Sequence, residues 1–306
     1  MPLLKPTPVH NIHSALLSQA GVQLSLKRED LNDATIQGNK WLKLKPNLEL
    51  ARQQGYKKLL TFGGCYSNHI YATAAAGQRF GFETIGIIRG PEPKQYSPTL
   101  QFAQKAGMQL HFIDRSLYRK ISELQTQQAI SRPFQPAYIL PEGGSNALAV
   151  SSCAEYARSL PQDYDIICCA CGTGGTLAGL IQGLNHSKKV IGFPVLKGGD
   201  FLYSDIQSYL SAGNRHQSYN NWSLISDYHF GGYGRCTSPL ENFIIEFYQQ
   251  QEILLEPVYT GKMLFALFDL IEKGYFQKNT RILAIHSGGI QGLDGFPRLK
   301  ARLNLT

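Results

Sequence analysis

Residues 165–180 read DIICCACGTGGTLAGL. An apolar run of strand length gives way to a glycine-rich turn, and the turn opens a segment of helical period. That order brings backbone N–H groups and the positive end of a helix dipole to the carboxyl end of a strand, where a phosphate is readily held. Three readings compete for the turn: a phosphate cradle, a dinucleotide-binding loop, and a tight turn with a structural role. A dinucleotide loop needs GxGxxG and then an acidic residue about 20 positions on. Here the glycines are Gly172, Gly174, Gly175 and Gly179, and the next strand segment, VIGFPVLKGG from residue 190, ends without an acid. The P-loop pattern GxxxxGK[ST] is absent as well, which argues against a nucleotide triphosphatase. A phosphate monoester is the favoured ligand.

The same alternation runs through the chain. Apolar runs at 24–27, 58–62, 84–88, 109–113, 137–140, 165–170, 190–193 and 281–286 predict strands. Segments of helical period at 41–53, 68–80, 98–106, 146–159, 176–184, 239–249 and 262–273 predict helices. Together they indicate an α/β fold of open, twisted, mainly parallel sheets flanked by helices. At 306 residues one core tends to divide, so two lobes are expected.

Composition narrows the function. With 43% hydrophobic and 17% charged residues the chain is that of a folded globular protein rather than a disordered one. The net charge of +8 is scattered, without a basic run or an interleaved aromatic stripe, so no nucleic-acid partner is expected. No stretch approaches the roughly 20 apolar residues of a membrane span, and MPLLKPTPVHNIHS lacks a signal-peptide core. A cytoplasmic location is expected. The cysteines Cys65, Cys153, Cys168, Cys169, Cys171 and Cys236 are too few for a disulfide scaffold and should remain thiols. The string CCAC lacks the spacing of a zinc site, and no metal is expected.

Four glycine-rich junctions stand where a predicted strand ends: GGCYSNH at 63–69, PEGGSN at 141–146, CGTGGT at 171–176 and HSGG at 286–289. Such junctions line the ligand crevice of a doubly wound sheet, so four of them predict one large site. IQGNKWLKL at 36–44 adds a lysine. Asn39 is expected to cap a helix beginning near Lys40, and a lysine in a first turn opposes the helix dipole. Bonding to an aldehyde as an imine removes the conflicting charge, which is what catalytic lysines do. A solvated surface lysine is the ordinary alternative. Lys43, one turn on, shares the face of Lys40 and would reach a cofactor phosphate.

The strings GNKxxKL, GGxxSNH, GTGGTxAGL, PVYTGK and HSGG, in this order between residues 37 and 292, resemble the pyridoxal-phosphate (PLP) dependent fold type II family of 1-aminocyclopropane-1-carboxylate (ACC) deaminase and D-cysteine desulfhydrase. The resemblance implies a tryptophan synthase beta-like architecture, with residues 1–44 and 152–306 as a large PLP-binding domain and 45–151 as a small domain. It implies PLP as cofactor, a small amino acid as substrate and a homodimer. Lys40 matches the lysine bonded to the PLP aldehyde. Asn68 matches the asparagine at the ring hydroxyl, and Ser67 the serine that receives the substrate carboxylate, with Asn68 and His69 beside it. Cys171, Gly172, Thr173, Gly174, Gly175 and Thr176 would hold the phosphate. Tyr233 in GGYGRC and Tyr259 in PVYTGK match two tyrosines that face the substrate; outside the family each would read as a packed aromatic.

Three positions bear on the reaction. Deaminases of this family carry glutamate at Thr260, leucine at Ser287 and glutamine at His69, whereas desulfhydrase-like members carry small hydroxyl residues at the first two and histidine at the third. A carboxylate beside the ring nitrogen keeps it protonated and strengthens the electron sink, which opening a cyclopropane requires. A hydroxyl there leaves a weaker sink, sufficient for a thiol leaving group of pKa about 8.5. Thr260 and Ser287 therefore imply β-elimination, with D-cysteine giving pyruvate, ammonia and hydrogen sulfide. ACC deamination to 2-oxobutyrate and a non-catalytic homologue are the alternatives. Freed Lys40 would take the α-proton, and Tyr233 or Tyr259 would assist the leaving sulfur. His69 stands evenly between a substrate contact and a supporting group. Cys65, Tyr66, Tyr71, Ala72 and Leu42 depart from the desulfhydrase pattern and leave the substrate open.

Overall fold

A strand covered on both faces reads as a continuous apolar run, and all six residues of Ile166–Cys171 are buried. In the computed structural model, which describes residues 6–213 and 218–305, it is the seventh of ten strands. In chain order these are β1 (Val9–Ile12), β2 (Gln23–Arg28), β3 (Lys58–Gly63), β4 (Glu83–Arg89), β5 (Met108–Ile113), β6 (Tyr138–Leu140), β7 (Ile166–Cys171), β8 (Lys189–Pro194), β9 (Trp222–Leu224) and β10 (Arg281–His286). One sheet has the order β1-β2-β10-β7-β8-β9 and the other β5-β4-β3-β6. Every pairing is parallel except that of β1 with β2. The fold is the two-sheet α/β architecture that the alternation of runs predicts.

Register shows why both faces fill. Ile282 and Ala284 of β10 join Leu24, Leu26 and Phe193 in one core cluster, while Leu283 and Ile285 join Ile167, Leu177 and Ile181 in another. Successive side chains point to opposite faces of a strand, so each sheet residue serves one core or the other. Among the described residues no helix is long and apolar enough to cross a membrane.

All eight predicted strands are present within a residue of their expected ends. The edge strands β1 and β9 and the helices Ala15–Ala20 and Leu202–Gly213 were not expected. β9 is three half-buried residues, too short for a period to show. The helix Leu202–Gly213 did carry a signal, since Leu202, Ile206 and Leu210 are buried at four-residue spacing.

The helix Asn39–Gln53 corrects one expectation. Gly38, not Asn39, occupies the capping position, and Asn39 Nδ2 instead donates to Thr176 Oγ1 at 2.9 Å. Its side chain thus ties this helix to the glycine-rich turn after β7. The helix is continuous through residue 44, so the expected domain boundary there falls inside one element. The four-stranded sheet draws on residues 58–140 and the six-stranded sheet on 9–28 and 166–286.

Candidate active site

The four glycine-rich junctions follow β3, β6, β7 and β10, and all four contribute to the wall of one cavity of about 570 Å³. Ser67 caps the helix Asn68–Phe80, its Oγ accepting from His69 N and Ile70 N at 3.2 and 3.3 Å. Together the hydroxyl and the helix start favour an anion at this end of the cavity. Asn68 Oδ1 accepts from Gln291 Nε2 at 3.0 Å, which fixes the amide beside the HSGG turn.

Lys40 lies in the first turn of its helix and lines the cavity. Burial, and then the positive charge of Lys43, lowers its ammonium to a pKa of about 7. Desolvation and a like charge both disfavour the protonated form, so the lysine is suited to bonding an aldehyde near neutral pH. Lys43 is buried, which also lowers its pKa. Its Nζ donates to Ser145 Oγ at 2.9 Å and Gly143 O at 3.2 Å. Ser145 Oγ in turn shares a hydrogen bond of 2.7 Å with Thr173 Oγ1. Ser145 was missed by the sequence reading, although its glycine-rich segment was singled out.

Cys171, Gly172, Thr173, Gly174 and Thr176 line the cavity, and Gly175 begins the helix Gly175–Leu184. Gly174 caps that helix with φ +74°, a left-handed conformation that a side chain would strain. The turn offers the N–H groups of a helix start with two hydroxyls alongside.

His69 is 2% exposed. Its Nε2 lies 2.8 Å from Thr61 Oγ1, whose single proton is donated to Leu140 O at 3.1 Å. Nε2–H is therefore the donor to Thr61, and the ring is the neutral tautomer; burial pushes its pKa well below the ordinary histidine value. Nδ1 keeps a lone pair without a partner among the described residues. The residue lines the cavity as a buried support that carries one unsatisfied acceptor.

Tyr233 and Tyr259 form an edge-to-face pair with centroids 5.9 Å apart, and both line the cavity. Burial raises both phenols, and Tyr233 adds to the rise at Tyr259. Both keep their protons at neutral pH. Ser287 lines the cavity too.

Thr260 does not. It is fully buried, and its Oγ1 donates to Glu256 Oε1 at 2.7 Å. Glu256, also fully buried, further accepts from the backbone N–H groups of Val258, Tyr259 and Thr260 at 2.6–3.0 Å. It holds the start of the helix Thr260–Glu272 in place, and with it Tyr259. The expectation that Thr260 faces a cofactor ring is corrected by this contact: its proton is already given to the carboxylate. Glu256 was missed because a glutamate before a proline carries no period or motif of its own.

These residues fit PLP. The turn after β7 offers an anion the N–H groups of a helix start and two hydroxyls, and Lys40 offers an aldehyde an amine poised near neutrality. The family model described as pyridoxal-phosphate dependent enzyme matches residues 1–288. The bifunctional D-cysteine desulfhydrase/1-aminocyclopropane-1-carboxylate deaminase, mitochondrial, of Arabidopsis thaliana is 31% identical over 312 residues, covering 94% of this chain and 77% of its own. The D-cysteine desulfhydrase of Serratia proteamaculans is 28% identical over 306 residues, covering 94% of this chain and 92% of its own. A crystal structure of an ACC deaminase homologue superimposes with a TM-score of 0.83 at 28% identity, over 98% of this chain and 94% of the other. Sequence and fold agree along nearly the whole length, and the chain belongs to the PLP-dependent enzymes of fold type II, in the family of ACC deaminase and D-cysteine desulfhydrase.

Proposed function

We propose that this enzyme eliminates hydrosulfide from D-cysteine, consuming one water and giving pyruvate, ammonia and hydrogen sulfide. The carrying observation is that the PVYTGK segment offers the cavity no carboxylate. Thr260 stands where the deaminases have glutamate, and Glu256 is saturated by one hydroxyl and three backbone N–H groups. Of Thr260 and Ser287 only Ser287 lines the cavity, and a neutral donor at the ring nitrogen suits a substrate with a good leaving group.

When bound, PLP withdraws electrons from the substrate α-carbon. Ser67 Oγ and the N–H groups at the start of Asn68–Phe80 receive the substrate carboxylate. Lys40, with its pKa near neutrality, takes the α-proton at Nζ. Tyr233 and Tyr259 retain their phenolic protons, so either can donate to the departing sulfur.

Side-by-side assays of D-cysteine, L-cysteine, D-serine and ACC test the reading. Sulfide and pyruvate from D-cysteine, with no 2-oxobutyrate from ACC, is the expected pattern. Production of 2-oxobutyrate without sulfide overturns it.

A further inference from the structure

The wall contributed by the four-stranded sheet and its connections carries groups that the elimination of hydrosulfide does not use. Arg89, the last residue of β4, lines the cavity with Ile121, Ser122, Gln127 and Glu142. The Arg89 guanidinium sits 5.8 Å from the centroid of the Tyr118 ring. Its Nη2 is 3.5 Å from the point where a side chain on Gly64 would begin, beside the Ser67 loop. Its charge also acts on the Tyr233 phenol. Among the described residues the guanidinium has no hydrogen-bond or ion-pair partner. The carboxylate in the same wall, Glu142, accepts from Tyr118 Oη at 2.7 Å and forms no ion pair with Arg89.

An exposed guanidinium beside an aromatic face, at the wall of a cavity and unpaired, is the complement of a carboxylate, which its planar fork meets with two parallel hydrogen bonds. Ser122 and Gln127 add neutral polar groups to the same wall. A small thiol needs none of them.

We propose that Arg89, with Ser122 and Gln127, forms a subsite for a second carboxylate, so that the enzyme accepts α-amino acids with an acidic side chain. This rests on the reading above only in that the cavity takes α-amino acids; it does not require turnover of D-cysteine. Ser67 takes the carboxylate at the α-carbon and Arg89 the one on the side chain.

The test titrates the PLP-loaded enzyme with alanine, asparagine, glutamine, aspartate and glutamate, in both enantiomers, following the visible absorption of the cofactor. One acidic amino acid should bind about tenfold or more tightly than its amide, the factor that a charge-assisted hydrogen-bonded pair supplies. Arg89→Gln should bring that ratio to about one, and Arg89→Lys should restore part of it. The melting temperature and cofactor absorption of the variants report a retained fold. Equal affinity for acid and amide in the wild type, or a ratio unchanged in Arg89→Gln, overturns the subsite. So does an Arg89→Gln variant that weakens alanine as much as glutamate, because the arginine would then serve the α-carboxylate. If no amino acid of either hand alters the spectrum, the functional reading falls as well. Binding without an acidic preference removes the subsite alone.

Discussion

A lysine at the start of a helix, half-buried and one turn from another lysine, is held by two influences that disfavour its charge. Desolvation and then the charge of Lys43 act in the same direction, and Lys40 reaches a pKa of about 7. Only the neutral amine attacks an aldehyde. Below pH 7 the rate at which the apoenzyme captures PLP should therefore rise about tenfold per pH unit, and above it the rate should level off. Stopped-flow absorption between about pH 5.5 and 8.5 reads this directly, and a flat profile contradicts it. The neighbouring hydroxyls separate by the same kind of reasoning. Ser287→Ala should lower kcat/KM for D-cysteine by about tenfold, because the ring nitrogen loses its donor. Thr260→Val should instead cost about 1 kcal/mol of stability, measured by urea unfolding, because Glu256 loses one of its donors. A larger kinetic effect at Thr260 than at Ser287 would show that the two roles are reversed.

At the scale of elements, the site depends on how the helix Asn39–Gln53 meets the turn after β10. A Cβ on Gly38 would lie 1.8 Å from Ser287 O, and its φ of +62° adds backbone strain. Neither the carbonyl nor the Lys40 turn can give way without moving the other. Gly38→Ala should destabilise the protein by more than about 2 kcal/mol and weaken PLP binding, seen in thermal melting and cofactor titration. Near-wild-type values for both would show that the turn is more compliant than its packing suggests. The elements themselves were legible wherever burial imposed a period. β3, β7 and β10 read as apolar runs because both of their faces are covered. The short edge strands β1 and β9 present no such run.

Across the whole molecule, one cavity collects junctions from both sheets, so a ligand there binds the folded chain and not the unfolded one. PLP at 100 times its dissociation constant should add about 2.7 kcal/mol of stability. The melting temperature of the apoenzyme should climb with PLP concentration and fall again when the cofactor is removed; an unresponsive melting temperature would show that PLP does not bind the folded chain. The sequence by itself determined the α/β class, the glycine-rich turn at 171–176, and the convergence of Lys40, Ser67 and Asn68 with three other junctions. Those follow from local chemistry: apolar period, glycine in turns and hydroxyls at helix starts are set by near neighbours. Only the tertiary structure decided that Thr260 turns to Glu256, that His69 leans on Thr61 with its Nδ1 unsatisfied, and that Arg89 lines the cavity unpaired. Each of these rests on where a side chain points, and for His69 and Arg89 on a cavity assembled from residues far apart in the chain, which no local pattern records.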